Sequence, residues 1–186
     1  MPTHLILHGP PGVGKTTAAR AFAREVLADD FENSFHELRS YDDRSVARIR
    51  DGIATFATLP PSRSAPFRVV FIDEADELEP KAQSALRPAM EGEGATTVFL
   101  LACNDLDRIA KPLQSRCTVL EFSPLTDEEI RQVLRDAVSI APVSPDPATL
   151  ESILRRSHGI PREGVKLLIE ALAAGPKYPP TAVREP

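Results

Sequence analysis

The stretch Gly9-Pro10-Pro11-Gly12-Val13-Gly14-Lys15-Thr16-Thr17 restricts the folds open to this chain more than any other. It fits the phosphate-loop pattern G-x-x-x-x-G-K-[ST], with Gly9, Gly14, Lys15 and Thr16 at the required spacing. Glycines let the backbone curl until successive N–H groups face an anion, and a following helix adds its positive N-terminal end. Lys15 then has the reach for β- and γ-phosphates, and the Thr16 hydroxyl is a ligand for Mg²⁺. The flanks agree. His4 to Leu7 is a short apolar strand candidate, and Ala19, Phe22, Ala23, Val26 and Leu27 recur at helical spacing after the loop. A Gly/Pro-rich turn that matches by accident is the competing reading, and the strand–loop–helix context weighs against it. The pattern implies a nucleoside triphosphate site.

A length of 186 residues allows one or two domains with a real core. No apolar run approaches the roughly eighteen residues of a membrane span. The chain passes almost at once into a strand and the phosphate loop, so no signal peptide is expected. Cys103 and Cys117 are too few for a four-ligand zinc site and lie beside apolar strand candidates, so buried thiols without a disulfide, and a cytoplasmic protein, are expected. The net charge of −5 argues against a protein that grips nucleic acid by bulk electrostatics, though not against a local basic surface. The 18 prolines cluster at 60–66, 142–147 and 176–186, marking loops and a tail.

Along the chain, strand and helix patterns alternate. Ser34 to Leu38 is a second strand candidate. Ser40 or Asp42 can cap a helix whose apolar stripe is Val46, Ile49, Ile53 and Phe56, with Arg44 and Arg48 opposite, as a solvated face or a phosphate contact. In the stretch Phe67 to Asp76, the run Val69 to Ile72 suits a fully buried parallel strand, followed by Asp73-Glu74 where ligands bind in open α/β sheets. Asp73 is placed to hold a Mg²⁺ shell and Glu74 to polarise an attacking water. Pro80 starts a helix with Ala82, Ala85, Leu86, Ala89 and Met90 on its core face, and Pro88 predicts a kink or an early end. After a turn at Glu91–Gly94, Thr96 to Asn104 is a buried strand, and Asn104 lies beside Asp73 if the two strands are neighbours. Ile109 to Arg116 is irregular or a short helix, and Cys117 to Phe122 a fifth strand. From Ser123 onward only helices follow. One begins at the capping box Thr126/Glu129 with Ile130, Val133, Leu134, Ala137 and Val138 on one face. The next runs from Asp146-Pro147 with Leu150, Ile153 and Leu154, stopped by Gly159. The last runs from Pro161 with Val165, Leu168, Ile169 and Leu172. The expected fold is therefore α/β, a parallel five-stranded sheet flanked by helices over 1–123, a small three-helix lid over 124–175, and a disordered proline-rich tail over 176–186.

Together these residues resemble an AAA+ ATPase, and more narrowly a sliding-clamp-loader subunit of the replication factor C small-subunit type. Gly9 to Thr17 is similar to Walker A, and Asp73-Glu74-Ala75-Asp76 to Walker B. Glu37-Leu38 with Asp42-Asp43-Arg44 and Ile49-Arg50 looks like the segment leading into a DNA-facing helix. Ala82 to Arg87 with Met90-Glu91 resembles the helix after Walker B, and Cys103-Asn104 falls at sensor 1. Ser115-Arg116-Cys117 matches the triplet characteristic of this branch, and Gly159-Ile160-Pro161-Arg162 falls at sensor 2.

The resemblance implies ATP and Mg²⁺ as cofactors and hydrolysis between subunits. Pro10, Pro11, Gly12, Val13 and Thr17 would join Gly9, Gly14, Lys15 and Thr16 around the phosphates. Glu74, Asn104, Arg116 and Arg162 would be catalytic, Arg116 as an arginine finger acting on a neighbour's γ-phosphate and Arg162 on its own subunit's nucleotide. The implied partners are other clamp-loader subunits, a sliding clamp and primer–template DNA touched by Arg44 and Arg48, with no membrane. The chain departs from the family pattern in lacking a segment before the first strand, where adenine contacts are expected, and a collar after the lid. Pro88 replaces a basic residue, and Ser45 stands where Gly is frequent. Three rivals remain. They are another AAA+ DNA-transaction ATPase (a helicase loader, a branch-migration motor or a transposition regulator), a small P-loop kinase and a non-catalytic scaffold subunit.

Overall fold

Four of the five strand candidates are short apolar runs, and they pair as parallel sheets demand, through crossovers rather than hairpins. The computed structural model describes residues 3–39, 56, 65, 67–91, 96–140 and 145–174. The strands are β1 (His4–His8), β2 (Phe35–Arg39), β3 (Arg68–Asp73), β4 (Thr97–Cys103) and β5 (Cys117–Glu121). All neighbours are parallel and the order is β2-β3-β4-β1-β5. The helices are α1 (Lys15–Leu27), α2 (Phe31–Ser34), α3 (Pro80–Glu91), α4 (Lys111–Gln114), α5 (Asp127–Ser139), α6 (Pro147–Ser157) and α7 (Pro161–Ala174). The expected helix through Val46, Ile49 and Ile53, its caps Ser40 and Asp42, the Arg44/Arg48 face, the 92–94 turn and the 176–186 tail lie outside the described residues, as does the 60–66 loop apart from Ala65.

Contacts divide the chain into two units, Met1–Gly9 with Lys15–Phe122, and Pro10–Gly14 with Ser123–Pro186. In the first, the apolar runs hide a period of two, because both sheet faces are covered. Val70, Ile72, Phe99 and Leu101 pack with Ala82, Leu86 and Met90 of α3. Val69, Phe71, Val98 and Leu100 pack with Ala19, Ala23 and Leu27 of α1. Phe22 departs from the expected stripe: it is 39 % exposed and rims a small apolar hollow with Leu7, Leu120 and Phe122. Two of the α1 residues that pack on the sheet, Ala19 and Ala23, are small, which brings the helix close and leaves the larger ring at its edge.

Pro88 does not end α3, which continues to Glu91. A proline there deprives only the Ser84 carbonyl of its helical partner, and Ser84 is exposed, so water can serve that carbonyl. Ala85 and Ala89 are half-buried, while Gln83 is buried. His4 is also interior: its Nε2 donates to the Met90 carbonyl (3.3 Å) and its Nδ1 accepts the Phe99 N–H (3.2 Å). Burial holds this imidazole below the usual histidine range, and the bond to Met90 offsets only part of that.

The second unit contains the three long C-terminal helices, which share a core of Ile130, Leu134, Ile153, Leu154, Leu167, Leu168 and Ala171. The capping box forms, with Glu129 N–H to Thr126 Oγ1 at 3.4 Å and Thr126 N–H to Glu129 Oε2 at 2.8 Å. Asp146 caps α6 by accepting the Thr149 N–H at 3.0 Å. The left-handed residue that closes α6 is His158 (φ 49°), one before the expected Gly159, which also has positive φ (74°). The core stripe of α7 is Gly164, Leu167, Leu168 and Ala171, so Ile169 is 61 % exposed and Val165 only half-buried. Two of those buried residues are small. A Cβ on Gly164 would lie 3.6 Å from Leu134 Cδ2, a close helix approach that a count of large apolar residues does not reveal.

Candidate nucleotide site

In a parallel sheet the C-terminal strand ends gather on one edge, and the crossovers leave a crevice there. The ends of β1, β3 and β4 carry most of the residues singled out by sequence. Gly9 closes β1, its N–H donating to the Cys103 carbonyl at 3.3 Å, and its carbonyl receives Lys15 Nζ at 2.6 Å. Lys15 is 7 % exposed and also donates to Asn104 Oδ1 at 2.8 Å. Thr16 Oγ1 donates to Asp73 Oδ2 at 2.8 Å. Two strand tips are thus tied to the first turn of α1, Asp73 through the hydroxyl and Asn104 through the ammonium group. A hydroxyl and a carboxylate this close are the hard oxygen donors that suit Mg²⁺.

Glu74 follows with a left-handed backbone (φ 53°, ψ 44°) and an exposed side chain. Its N–H donates to Asp73 Oδ1 at 3.1 Å and its carbonyl accepts the Glu77 N–H at 2.8 Å, so the turn is pinned on both sides. A non-glycine residue in this region carries roughly 1–2 kcal/mol of backbone strain. On this turn Glu74 is exposed while Asp76, two residues on, is buried.

Arg116 lies elsewhere in this unit. It precedes β5, whose Cys117 is in register with His4 at the start of β1, so it stands at the N-terminal ends of the strands, away from Lys15, Asp73 and Asn104. Its guanidinium donates to the Pro112 carbonyl (2.5 Å) and Ser115 Oγ (3.3 Å) and forms an ion pair with Glu91, while the side chain is 29 % exposed.

In the second unit, Pro10–Gly14 lies with the start of α7. The Arg162 N–H donates to the Gly12 carbonyl at 3.4 Å, and a Cβ on Gly12 (φ 83°) would come within 2.8 Å of Ile160 Cγ2 and 3.2 Å of Arg162 Cβ. Pro11, Val13 and Thr17 belong to the loop or the helix start, with Val13 buried. Arg44 and Arg48 lie outside the described residues.

Two polar residues that sequence reasoning did not single out are buried here. Gln83 donates to the carbonyls of Leu78 (3.2 Å) and Arg108 (2.9 Å) and accepts the Ala110 N–H (2.7 Å). Asp76 accepts the N–H groups of Asn104 (3.1 Å) and Asp105 (3.0 Å). The neighbouring Cys103 thiol is pushed up to about 12, by burial first and then by the Asp76 carboxylate. A polar residue inside an apolar helical pattern was the only signal for Gln83, and the acid after Asp73-Glu74 the only one for Asp76. Among the described residues no helix is long and apolar enough to cross a membrane.

Residues 5–125 match the family described as "ATPase family associated with various cellular activities (AAA)". The chain is 37 % identical over 182 residues to the replication factor C small subunit of Picrophilus torridus, covering 98 % of this chain and 57 % of that protein. It is 39 % identical over 170 residues to the one from Methanococcus maripaludis, covering 91 % and 54 %. The chain spans about half the length of these curated relatives. Among solved structures, Thermotoga maritima RuvB, described as a Holliday junction branch migration motor, aligns with a TM-score of 0.69 at 26 % identity, covering 90 % of this chain and 53 % of that one. With a family match over most of its length and a phosphate loop tied to two strand tips, the chain belongs to the AAA family of ATPases.

Proposed function

We propose that this chain is the ATP-hydrolysing part of a clamp-loader small subunit, coupling ATP binding and hydrolysis to loading of a sliding clamp onto primed DNA. The single observation that carries the chemistry is the pair of ties from α1, Lys15 to Asn104 and Thr16 to Asp73. The clamp-loader assignment draws on the replication factor C relatives, whose 37 % and 39 % identity exceeds the 26 % of the branch-migration motor.

Lys15 would exchange the Gly9 and Asn104 oxygens for β- and γ-phosphate oxygens, with Gly9 to Thr17 wrapping the phosphates. Thr16 and Asp73 would hold Mg²⁺. Once bound, that ion neutralises charge that develops on the transferring phosphoryl group. Glu74, exposed on its strained turn, would orient and deprotonate the attacking water. Asn104 would pass from Lys15 to the γ-phosphate and report its presence, and Arg162 would act on the nucleotide from beside Gly12. Arg116 is the residue whose position speaks for a neighbour. A five-residue strand is about 13 Å long at roughly 3.3 Å per residue, and Arg116 stands at the far end of such strands from Lys15. As a finger it would leave Glu91 for the γ-phosphate of an adjacent subunit. Arg44 and Arg48 keep their proposed contact with primer–template DNA by resemblance alone, and a cytoplasmic site of action follows from the replication role.

The test is phosphate release by the chain, alone and with primed DNA, a sliding clamp and partner subunits. Glu74→Gln is expected to bind ATP and stop turnover. Arg116→Ala is expected to stop turnover with nucleotide affinity within about twofold. Full turnover in either variant, or no stimulation by any clamp, overturns the assignment it addresses.

A further inference from the structure

Asp76 is 4 % exposed, yet it lies outside the apolar pattern of β3 and takes no part in the roles above. It sits on the turn Ala75–Glu77, directly after the strained Glu74. Oδ2 accepts two consecutive backbone N–H groups, from Asn104 and Asp105, residues 28 and 29 positions away in the chain. Oδ1 is buried with no hydrogen-bond partner among the described residues. A buried carboxylate with one idle oxygen is costly, and the two bonds to the other oxygen are what offset that cost here.

What it holds is the tip of β4. Beyond Cys103 the ladder to β1 stops, since Gly9 N–H to the Cys103 carbonyl is the last sheet bond, and Asn104 is already exposed. Without an acceptor, the N–H groups of Asn104 and Asp105 would be free to rotate the peptide planes, and the Asn104 carboxamide would swing with them. Asp105 in turn caps the following turn through its own carboxylate, Oδ1 to Asp107 N–H at 2.9 Å, so the whole tip is fixed in series from one oxygen. The same turn also carries Glu74. Its displacement would therefore move the Asn104 backbone, and the reverse.

We infer that Asp76 is a positioning residue that locks the backbone of Asn104 to the Glu74 turn, so that the group facing the γ-phosphate and the group facing the water are held in one register. This rests on the proposed function for its catalytic consequence, but not for the lock itself.

Three substitutions separate position from charge. Asp76→Asn keeps an acceptor oxygen in place without the charge. Asp76→Glu keeps the charge but moves the oxygen by one methylene. Asp76→Ala removes both. Two readouts are taken on the full chain: amide hydrogen exchange at Asn104 and Asp105 without nucleotide, and steady-state turnover in an assembly active with wild-type chain, alongside affinity for a fluorescent ATP analogue. The expected result is faster exchange at those two amides, by tenfold or more, in Asp76→Ala and Asp76→Glu. The expected kcat falls at least tenfold in both, with analogue affinity within about threefold, and Asp76→Asn stays within about threefold of wild type in every measure. If Asp76→Ala does not fold, the Glu and Asn variants decide the question. Unchanged exchange at Asn104 in the Ala or Glu variant overturns the lock. Turnover that survives in Asp76→Glu and is lost in Asp76→Asn overturns it too, because charge and not position would then be at work. Absence of turnover in wild-type chain under every condition sinks the proposed function instead, and the exchange rates still decide whether Asp76 holds the strand tip.

Discussion

Gly9 is the first glycine of the phosphate loop, but its neighbourhood predicts that Gly9→Ala damages the sheet before it damages nucleotide binding. A Cβ built on Gly9 would lie 2.0 Å from the Phe122 carbonyl oxygen, 2.9 Å from its carbonyl carbon and 3.1 Å from its Cβ. The offending atoms are backbone, so no rotamer change relieves them. Phe122 itself is tied back to β1 by its N–H to the His8 carbonyl at 2.6 Å, and Gly9 to β4 by the Cys103 bond at 3.3 Å. Relief means prying the end of β5 from β1 by an ångström or more. Overpacking costs about 1–3 kcal/mol, and loss of one ladder bond adds about 1 kcal/mol. The sum is roughly 2–4 kcal/mol, a large share of the roughly 5–15 kcal/mol that holds a domain together. For a chain of this size each kcal/mol moves Tm by about 2–4 °C, so a drop on the order of 10 °C is expected by circular dichroism or calorimetry. Gly14→Ala is the internal control. Gly14 also has positive φ (102°), but nothing lies within 4 Å of its added Cβ, so Gly14→Ala should lose only about 1–2 kcal/mol of stability, as backbone strain. A Gly9→Ala protein melting within about 2 °C of wild type, or a Gly14→Ala protein melting lower than Gly9→Ala, would refute the reasoning.

Ala28 is exposed with φ 44°, so Ala28→Gly should raise stability by about 0.5–1 kcal/mol in denaturant unfolding; a loss would mean that the left-handed geometry is absent in solution. Glu74→Gly should likewise raise stability, by about 1 kcal/mol, while phosphate release falls to background, since strain and the carboxylate leave together. Thr126→Ala removes the hydroxyl half of the capping box and keeps the backbone N–H that donates to Glu129, so it should lower the stability of the helical unit by about 1 kcal/mol, read by hydrogen exchange along α5. The depressed His4 and His36 imidazoles give a pH dependence whose sign is fixed. Above the unfolded value near 6.5 both states are neutral and nothing changes. As pH falls below it, the unfolded chain takes up protons that the folded one resists, so unfolding free energy should decline between about pH 6.5 and the lower folded values. Urea midpoints at pH 7.5 and 5.5 measure this, and a flat profile there would exclude neutral buried histidines.

The parts of this molecule that could be read in advance are those whose determinants sit close together in the chain. The loop from Gly9 to Thr17, the cap Thr126/Glu129 and the buried runs of β3 and β4 each carry their cause within about ten residues. The failures share the opposite property. Ile169 and Phe22 fit the apolar helical spacing of α7 and α1, but the packed faces also depend on the small residues Gly164, Ala171, Ala19 and Ala23, whose value is how near they let another element come. Of the two outcomes Pro88 predicts, a kink or an early end, the early end does not occur, because only the solvent-facing Ser84 carbonyl loses a partner. Asp76 and Gln83 fall inside recognised motifs but have no individual role readable from sequence, because their partners lie between 25 and 29 residues away, apart from the Leu78 carbonyl.

The same distinction orders the candidate site. Lys15 and Thr16 are neighbours on one helical turn, and a motif finds them; Asp73 and Asn104 reach them only because β3 and β4 are adjacent and parallel, so that two chain segments end on one edge. Arg116 belongs to the opposite edge because β5 runs parallel to β1, and the register of Cys117 with His4 leaves its predecessor no other place. A sheet with β5 antiparallel would have brought that guanidinium toward the edge with Lys15. The strand direction thus keeps Arg116 and Lys15 at opposite ends of the sheet's strands.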